Sequence, residues 1–316
     1  STPIKSSAAS DVYKRQSGHS KNLKFGAADI GGVYYSFAST FTQLADKEID
    51  GYTFETKTTA GSVANLRLIS DGYIDLAIVQ ADLLSDAYNA TGTFADKKYQ
   101  KGYKAVASLY TECCQIVVRK DSGITGIDDL INKTVSVGAS ESGTEKNAEQ
   151  ILKMSGITDE LINKVNMDYT EAAEKLKAGE IDAFFCTAGT RTEVIGQLSK
   201  ECDIRLISLD DKCIDKMLSA YSLCEKYTIP AGTYNGQDSD VTTIGVKAVL
   251  IAKQSLSDDV IKNVTKTIYE HADDFKYATS LDISFDINTA ADGVDIPFHS
   301  GAAAYYTERG INVLTE

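Results

Sequence analysis

The sequence predicts an α/β protein built as two similar lobes. Three observations lead there. Short β-rich runs alternate with segments of helical period, one local pattern occurs twice about a hundred residues apart, and two long β-rich stretches lie far apart in the chain. The repeated pattern is Asp71-Gly72-Tyr73-Ile74-Asp75 running into Leu76-Ala77-Ile78-Val79, then Ala178-Gly179-Glu180-Ile181-Asp182 running into Ala183-Phe184-Phe185. Upstream of each copy lies a second matching unit. Leu23-Lys24-Phe25-Gly26-Ala27-Ala28 and Thr134-Val135-Ser136-Val137-Gly138-Ala139 both lead into a polar, glycine-bearing turn and then a helix. Two lobes that open with such turns suggest a ligand between them.

The elements follow in order. Residues 22–28 predict a strand, and 34–49 a helix with Phe37, Phe41, Leu44 and Ala45 on one face. A strand is expected over 52–58. A short helix begins at Gly61 or Ser62 and groups Val63, Leu66 and Ile69. A buried strand over 75–79 completes a βαβ series, which implies a mostly parallel sheet. Residues 103–119 and 241–252 are extended and lack a helical period. They suit two strands that cross between the lobes as a hinge. Between them a second series is expected: strands at 134–139, 164–168, 181–186 and 204–208, and helices at 144–154 and 171–178. After residue 256 the spacing of Val260, Val264, Ile268 and His271 is helical, and a last helix starts near Ala302. Lobe one is then 21–110 plus 253–316, lobe two is 111–252, and residues 1–20 read as a flexible tether or an expression remnant.

Composition narrows the function. The chain has 316 residues, enough for two cores, with 43 % hydrophobic and 24 % charged residues. Its net charge of −13 opposes nucleic acid and anionic membrane surfaces. It leaves a small anion open, since backbone N–H groups at helix starts create a local positive field. None of the six cysteines forms a C-x-x-C pair and no histidine has zinc-like spacing, so neither metal nor cofactor is expected. Cys113 and Cys114 would face opposite sides of a strand. Spacing allows a Cys213–Cys224 bridge, and buried free thiols are the favoured alternative.

Candidate ligand contacts cluster at strand-to-helix turns. The first turn carries Gly31, Gly32, Tyr34 and Tyr35, with glycines for close approach and tyrosines for an apolar wall. Thr59, Ser62 and Asn65 mark the next turn and Gln80 the end of the third strand. Simple helix capping competes with a ligand role there. Ser140, Ser142, Gly143 and Thr144 form the mirror turn in lobe two. Gly189 and Arg191 stand where Gln80 stands in lobe one, and Arg191 is either a bidentate carboxylate partner or a solvated surface arginine. Asp71, Asp75, Asp82 and Asp86 lack calcium-loop spacing and read as a solvated helix face. No serine, histidine and acid are placed as a triad, so catalysis is not expected.

At these residues the chain resembles the TAXI-type solute receptors of TRAP transporters, a branch of the periplasmic-binding-protein superfamily. The likeness spans nearly all of residues 22–316. It rests on Gly31-Gly32-Val33-Tyr34-Tyr35, on Thr59-Ala60-Gly61-Ser62-Val63-Ala64-Asn65 with Asp75-Leu76-Ala77-Ile78-Val79-Gln80, on Ile229-Pro230-Ala231-Gly232-Thr233-Tyr234, and on Ile296-Pro297-Phe298-His299-Ser300-Gly301-Ala302 with Tyr305-Tyr306-Thr307-Glu308-Arg309-Gly310. Arg191 and Ser300 depart from it, standing where the family pattern usually has proline. The resemblance implies a type II, Venus-flytrap fold. It also implies a non-enzymatic, monomeric, extracytoplasmic receptor, free in a periplasm or lipid-tethered. Such a receptor would capture glutamate, 2-oxoglutarate or a related dicarboxylate and deliver it to TRAP membrane subunits. A ligand sensor on the same fold, or less readily a cleft enzyme, is the alternative.

Overall fold

The computed structural model describes residues 21–96, 101–280 and 285–316. The expected tether, 1–20, lies outside the described residues. The first series is β1 (Lys21–Gly26), α1 (Val33–Glu48), β2 (Tyr52–Lys57), α2 (Ser62–Ser70), β3 (Leu76–Gln80) and α3 (Ala81–Asn89). The long strand β4 (Tyr103–Arg119) leads to β5 (Thr134–Ser136), α4 (Gly143–Met154), β6 (Asn163–Val165), α5 (Tyr169–Ala178), β7 (Ala183–Ala188), α6 (Glu193–Glu201), β8 (Ile204–Leu206), α7 (Asp211–Ala220) and β9 (Cys224–Ile229). The second long strand, β10 (Val241–Lys253), is followed by α8 (Asp258–Glu270), α9 (Ala272–Thr279) and α10 (Ser300–Thr307).

The strands form one sheet in the order β2-β1-β3-β10-β4-β7-β5-β6, with β8 beside β4 and β9 beside β10. Each end is a parallel trio, β2-β1-β3 and β6-β5-β7, and each trio meets one antiparallel long strand. We call these trios the first and second frames. β10 pairs with β3 through Ala248–Ala252 and with β9 through Val241–Val246. β4 pairs with β7 only through its second half, Cys113–Val118. Both long strands therefore run from one lobe into the other, as their composition predicts. Register shifts at Ala248/Val249 and Leu250/Ile251 bend the β4–β10 pair at the change of neighbours.

The repeated acid fixes both frames. Asp75 Oδ2 accepts the Lys24 N–H at 2.9 Å while the Asp75 N–H donates to the Lys24 carbonyl at 2.8 Å. Asp182 makes the same two bonds with Thr134, both at 2.8 Å. The preceding glycines, Gly72 (φ 84°) and Gly179 (φ 75°), turn the chain in the left-handed region before each strand.

Some boundaries differ from those expected. β5 stops at Ser136 because Val137 bonds onward to Val165 and Gly138 (φ 97°) then turns the chain. β7 starts at Ala183, since Asp182 is occupied by the clamp. Residues 193–229 carry α6, α7 and β9 in addition to the expected strand β8. The signal was present: Asp210 caps α7 through the Cys213 N–H, and Ile214 and Met217 follow at helical spacing.

Apolar burial is continuous from β1–β3, α1 and α8 to the faces beneath α5 and α6, and a second cluster lies under α4 and α7. Cys113 belongs to the first cluster and Cys114 to the second, the alternation a strand requires. All six cysteines are free, so the Cys213–Cys224 bridge does not form. The returning helices α8 and α9 pack on α1. Among the described residues, no helix is long and apolar enough to cross a membrane.

Candidate functional site

The frames place several helix starts on one side of the sheet. The starts of α1, α2 and α4 converge on a cavity between the lobes, lined by Gly32, Val33 and Tyr34, by Gly61 and Ser62, and by Ser142, Gly143 and Thr144. The space is narrow, about 50 Å³ counted as room for the centres of water molecules, so the lobes are drawn together around it. The first N–H groups of each helix lack partners within that helix, so they give this wall a positive local field.

Close approach across the cavity depends on two glycines. Gly61 has φ 125° and ψ −151°, a conformation open essentially to glycine alone, and a Cβ there would lie 3.2 Å from Ser142 Cα. A Cβ on Gly143 would run into the Gln80 amide. Polar contacts draw the lobes together at the same place. Arg67 Nε and Nη2 donate to Glu141 Oε1 and Oε2 at 3.0 and 2.7 Å, and the Ala64 N–H donates to the Glu141 carbonyl at 3.1 Å.

Of the residues singled out from sequence, Gly32, Tyr34, Ser62, Gln80, Ser142, Gly143 and Thr144 line the cavity. Their roles differ from simple ligand contacts. Ser142 Oγ caps α4 by accepting from the Glu145 N–H at 3.0 Å. Thr144 Oγ1 accepts from the Thr187 N–H at 3.1 Å and lies 2.6 Å from the Tyr169 hydroxyl, which donates to the Thr187 carbonyl at 3.0 Å. Thr144 must therefore donate to Tyr169, and its proton is held inside a ring that ties α4 and α5 to β7. Ser62 Oγ accepts from the Gln80 N–H at 3.1 Å.

Seven others lie outside the cavity lining, among them Gly31, which faces the neighbouring cleft beside Thr170 and Val194. Asn65 is fully buried and straps the first frame, donating to the Gly26 and Ile78 carbonyls and accepting from Thr59, so both side chains face the frame. Tyr35 points into the packing around α1, one residue past the cavity-facing Tyr34 on the turning helix. Ser140 is exposed on the outer side of its turn. The Gly189 carbonyl accepts from Thr192 Oγ1 at 2.6 Å. Arg191 has left-handed backbone (φ 64°), is exposed, and is not among the cavity's lining residues.

Sequence reading missed the acidic side of the site. Asp29, Glu112 and Asp168 line the cavity with Tyr169 and Thr187, and no lysine or arginine is among the lining residues. Glu112, in the middle of β4, is 2 % exposed and accepts from the Tyr34 hydroxyl at 2.8 Å. Burial pushes its carboxyl up to about 8, and the nearby Asp82 charge adds to this, against hydrogen bonds from Tyr34 and Gln80. Burial and then the Asp168 charge raise Asp29 as well. Asp82 is raised to about 6, chiefly by burial. The signal was a lone acid inside an otherwise apolar hinge strand, Tyr110-Thr111-Glu112-Cys113-Cys114. Burial drives the neighbouring thiols up too, Cys114 to about 12, so they are held as neutral thiols and are poor nucleophiles.

Two lobes joined by crossing strands, with helix starts from both around one cavity, define the two-lobe fold of periplasmic binding proteins. Residues 25–310 match the model of the NMT1-like family, and the chain belongs to that family. Solved structures share the fold. PhnD1 from Prochlorococcus marinus, in complex with methylphosphonate, is 12 % identical over 84 % of this chain and 93 % of that one, with a TM-score of 0.58. The periplasmic binding protein BugD is 10 % identical over 82 % and 85 %, at 0.56. A putative L-cystine ABC transporter from Listeria monocytogenes is 14 % identical over 82 % and 94 %, at 0.53. At these identities the likeness is one of fold.

Proposed function

We propose that the protein is an extracytoplasmic solute receptor of the TAXI type, which closes its lobes on a small organic anion and delivers it to the membrane subunits of a TRAP transporter. The observation that carries this reading is the cavity, to which both lobes contribute helix starts. A carboxylate at the starts of α1, α2 and α4 would meet backbone N–H groups and the positive ends of three helix dipoles. Closure removes water and strengthens those contacts. The lobes of this reading are 21–110 with 253–316, and 111–252, hinged on β4 and β10. The function is binding without catalysis, by a monomer that needs no cofactor. PhnD1 holds methylphosphonate, also a small anion, and so supports an anion on this fold. The TRAP partner, the lipid tether and the dicarboxylate class rest on the sequence blocks around Gly32, Gly61, Gly232 and Gly301.

Thermal unfolding of ligand-stripped protein tests this. A panel of C4–C6 dicarboxylates, amino acids and their neutral amides should contain a ligand that adds about 2.7 kcal/mol at a hundred times its dissociation constant, with a smaller radius of gyration on binding. No shift anywhere in the panel would sink the reading.

A further inference from the structure

Two carboxyl groups are buried where the lobes meet, and each faces a side-chain amide. Gln80, at the end of β3, is 2 % exposed and packs its amide against Gly143 at the start of α4. The same amide donates to Glu112, which precedes the point where β4 begins to pair with β7 at Cys113. Asp82, in the first turn of α3, meets Asn147 of α4, whose Nδ2 donates to Asp82 Oδ2 at 3.5 Å. In both contacts the amide oxygen, Gln80 Oε1 or Asn147 Oδ1, is buried without a donor. An ionised carboxylate only accepts, so it cannot serve those oxygens. A protonated carboxyl carries one donor and one acceptor, which matches a carboxamide on both sides. A buried acceptor without a donor is costly, and a proton on the neighbouring carboxyl removes that cost.

We infer that protons on Glu112 and Asp82 are part of what fastens the closed lobes, through the Glu112–Gln80 and Asp82–Asn147 contacts, so that the receptor opens as pH rises. This rests on the two-lobe receptor reading and adds a control to it. The sign follows from burial. In the closed form burial holds Glu112 at about 8 and Asp82 at about 6, above the ordinary carboxylate range. Opening admits water and returns both toward that range. The closed form therefore binds more protons than the open form. It loses favour as pH rises to about 6 through Asp82, and on to about 8 through Glu112. The titratable groups facing Glu112 are Tyr34 from α1, Asp82 from α3, Tyr110 and Cys113 from β4, Tyr169 from α5 and Cys186 from β7. Those facing Asp82 are Glu112, Asp86 of the same helix, Tyr221 just after α7 and Cys224 of β9. None is a cation, so among the described residues no ion pair holds either carboxyl ionised. Asp29, with Asp168 on the same cavity, is raised in the same sense.

The test is the spin-label distance across the cleft of the ligand-free protein, from pH 4.5 to 8.5 at fixed ionic strength. The ratio of closed to open molecules should fall about three- to tenfold per pH unit between about pH 6 and 8, tenfold being one proton per closure. Glu112→Gln supplies a neutral donor at every pH and keeps an acceptor for Tyr34, so it should flatten this range. Asp82→Asn should reduce the slope below about pH 6 and leave the slope above it in place, and it carries the test if Glu112→Gln fails to fold. Urea unfolding read alongside separates a merely structural acid, which would move global stability and leave the distance alone. A distance independent of pH, in a parent protein that still closes on a solute, would overturn the inference and leave the receptor reading standing. A slope unchanged in both variants would overturn it as well. A distance that neither pH nor any solute of the panel changes would overturn both readings.

Discussion

The two frames share a backbone plan and differ in what they present to the cavity. In each, an acid after a glycine turn clamps the first strand, Asp75 on Lys24 and Asp182 on Thr134, with nearly the same distances. The clamps differ in one partner. Asp75 also holds Lys253 at 2.8 Å, tying β3 to the end of a crossing strand, whereas Asp182 holds the second frame alone. The helix starts differ as well. α4 is capped by a serine side chain, while α2 begins at a glycine with no side chain at all. The first lobe thus gives up a cap to let Ser142 come close, and the second lobe fills that space. A repeat fixes the frame, and the residues at the strand ends are free to diverge toward function.

That contrast is broken most severely at the clamps. Asp75→Ala removes a backbone acceptor and the carboxylate that holds Lys253, whose Nζ keeps only the Gly72 carbonyl at 3.0 Å, so it should cost about 2–3 kcal/mol. Asp182→Ala removes the acceptor alone and should cost about 1–2 kcal/mol. Urea unfolding of both variants measures the difference. Equal losses would show that Lys253 contributes nothing to the first clamp.

The next largest effect lies at the helix starts. Gly61→Ala forces alanine into a glycine-only conformation and against Ser142, so a loss of about 1–3 kcal/mol is expected, with the lobes held further apart. Ser142→Ala loses only a cap, about 1 kcal/mol, and should leave the spacing unchanged. Thermal unfolding with small-angle scattering separates the two outcomes. An unchanged radius for Gly61→Ala would mean that the lobes approach elsewhere.

The frames were legible because period and turn chemistry are local. Leu23 and Phe25 alternate, Val63, Leu66 and Ile69 recur at helical spacing, and Gly72 and Gly179 punctuate both copies. The crossing strands were legible through their unusual length. The site was only half legible. Gly32, Ser62 and Ser142 sit at turns that announce themselves, whereas Asp29, Glu112 and Asp168 meet only when the lobes come together. Nothing local marks which of many acids will be buried. Asn65 and Thr59 misled for the opposite reason: polar residues near a mouth can serve the backbone, and here Asn65 satisfies the Gly26 and Ile78 carbonyls while Thr59 donates to Asn65 Oδ1. Arg191 was singled out by its chemistry, which says nothing of position, and it is not among the lining residues.

The smallest expected effect concerns what holds the lobes together. Arg67 on α2 and Glu141 before α4 form a bidentate pair across the cavity mouth, with side chains 35 % and 43 % exposed. Exposure limits the worth of the pair to about 0.5–1 kcal/mol, above the median for a surface pair because the fork geometry is good. Arg67→Met keeps the aliphatic stem and removes the charge. It should therefore shift the open-to-closed ratio about two- to fivefold toward open, read from spin-label distances across the cleft, while global stability scarcely moves. High salt screens an exposed pair, so raising ionic strength should open the parent protein and leave Arg67→Met unaffected. If the parent and the variant respond alike to salt, the pair does not set the balance. Closure would then rest on the Ala64–Glu141 backbone bond and the fit of Gly61 against Ser142, both of which are neutral contacts.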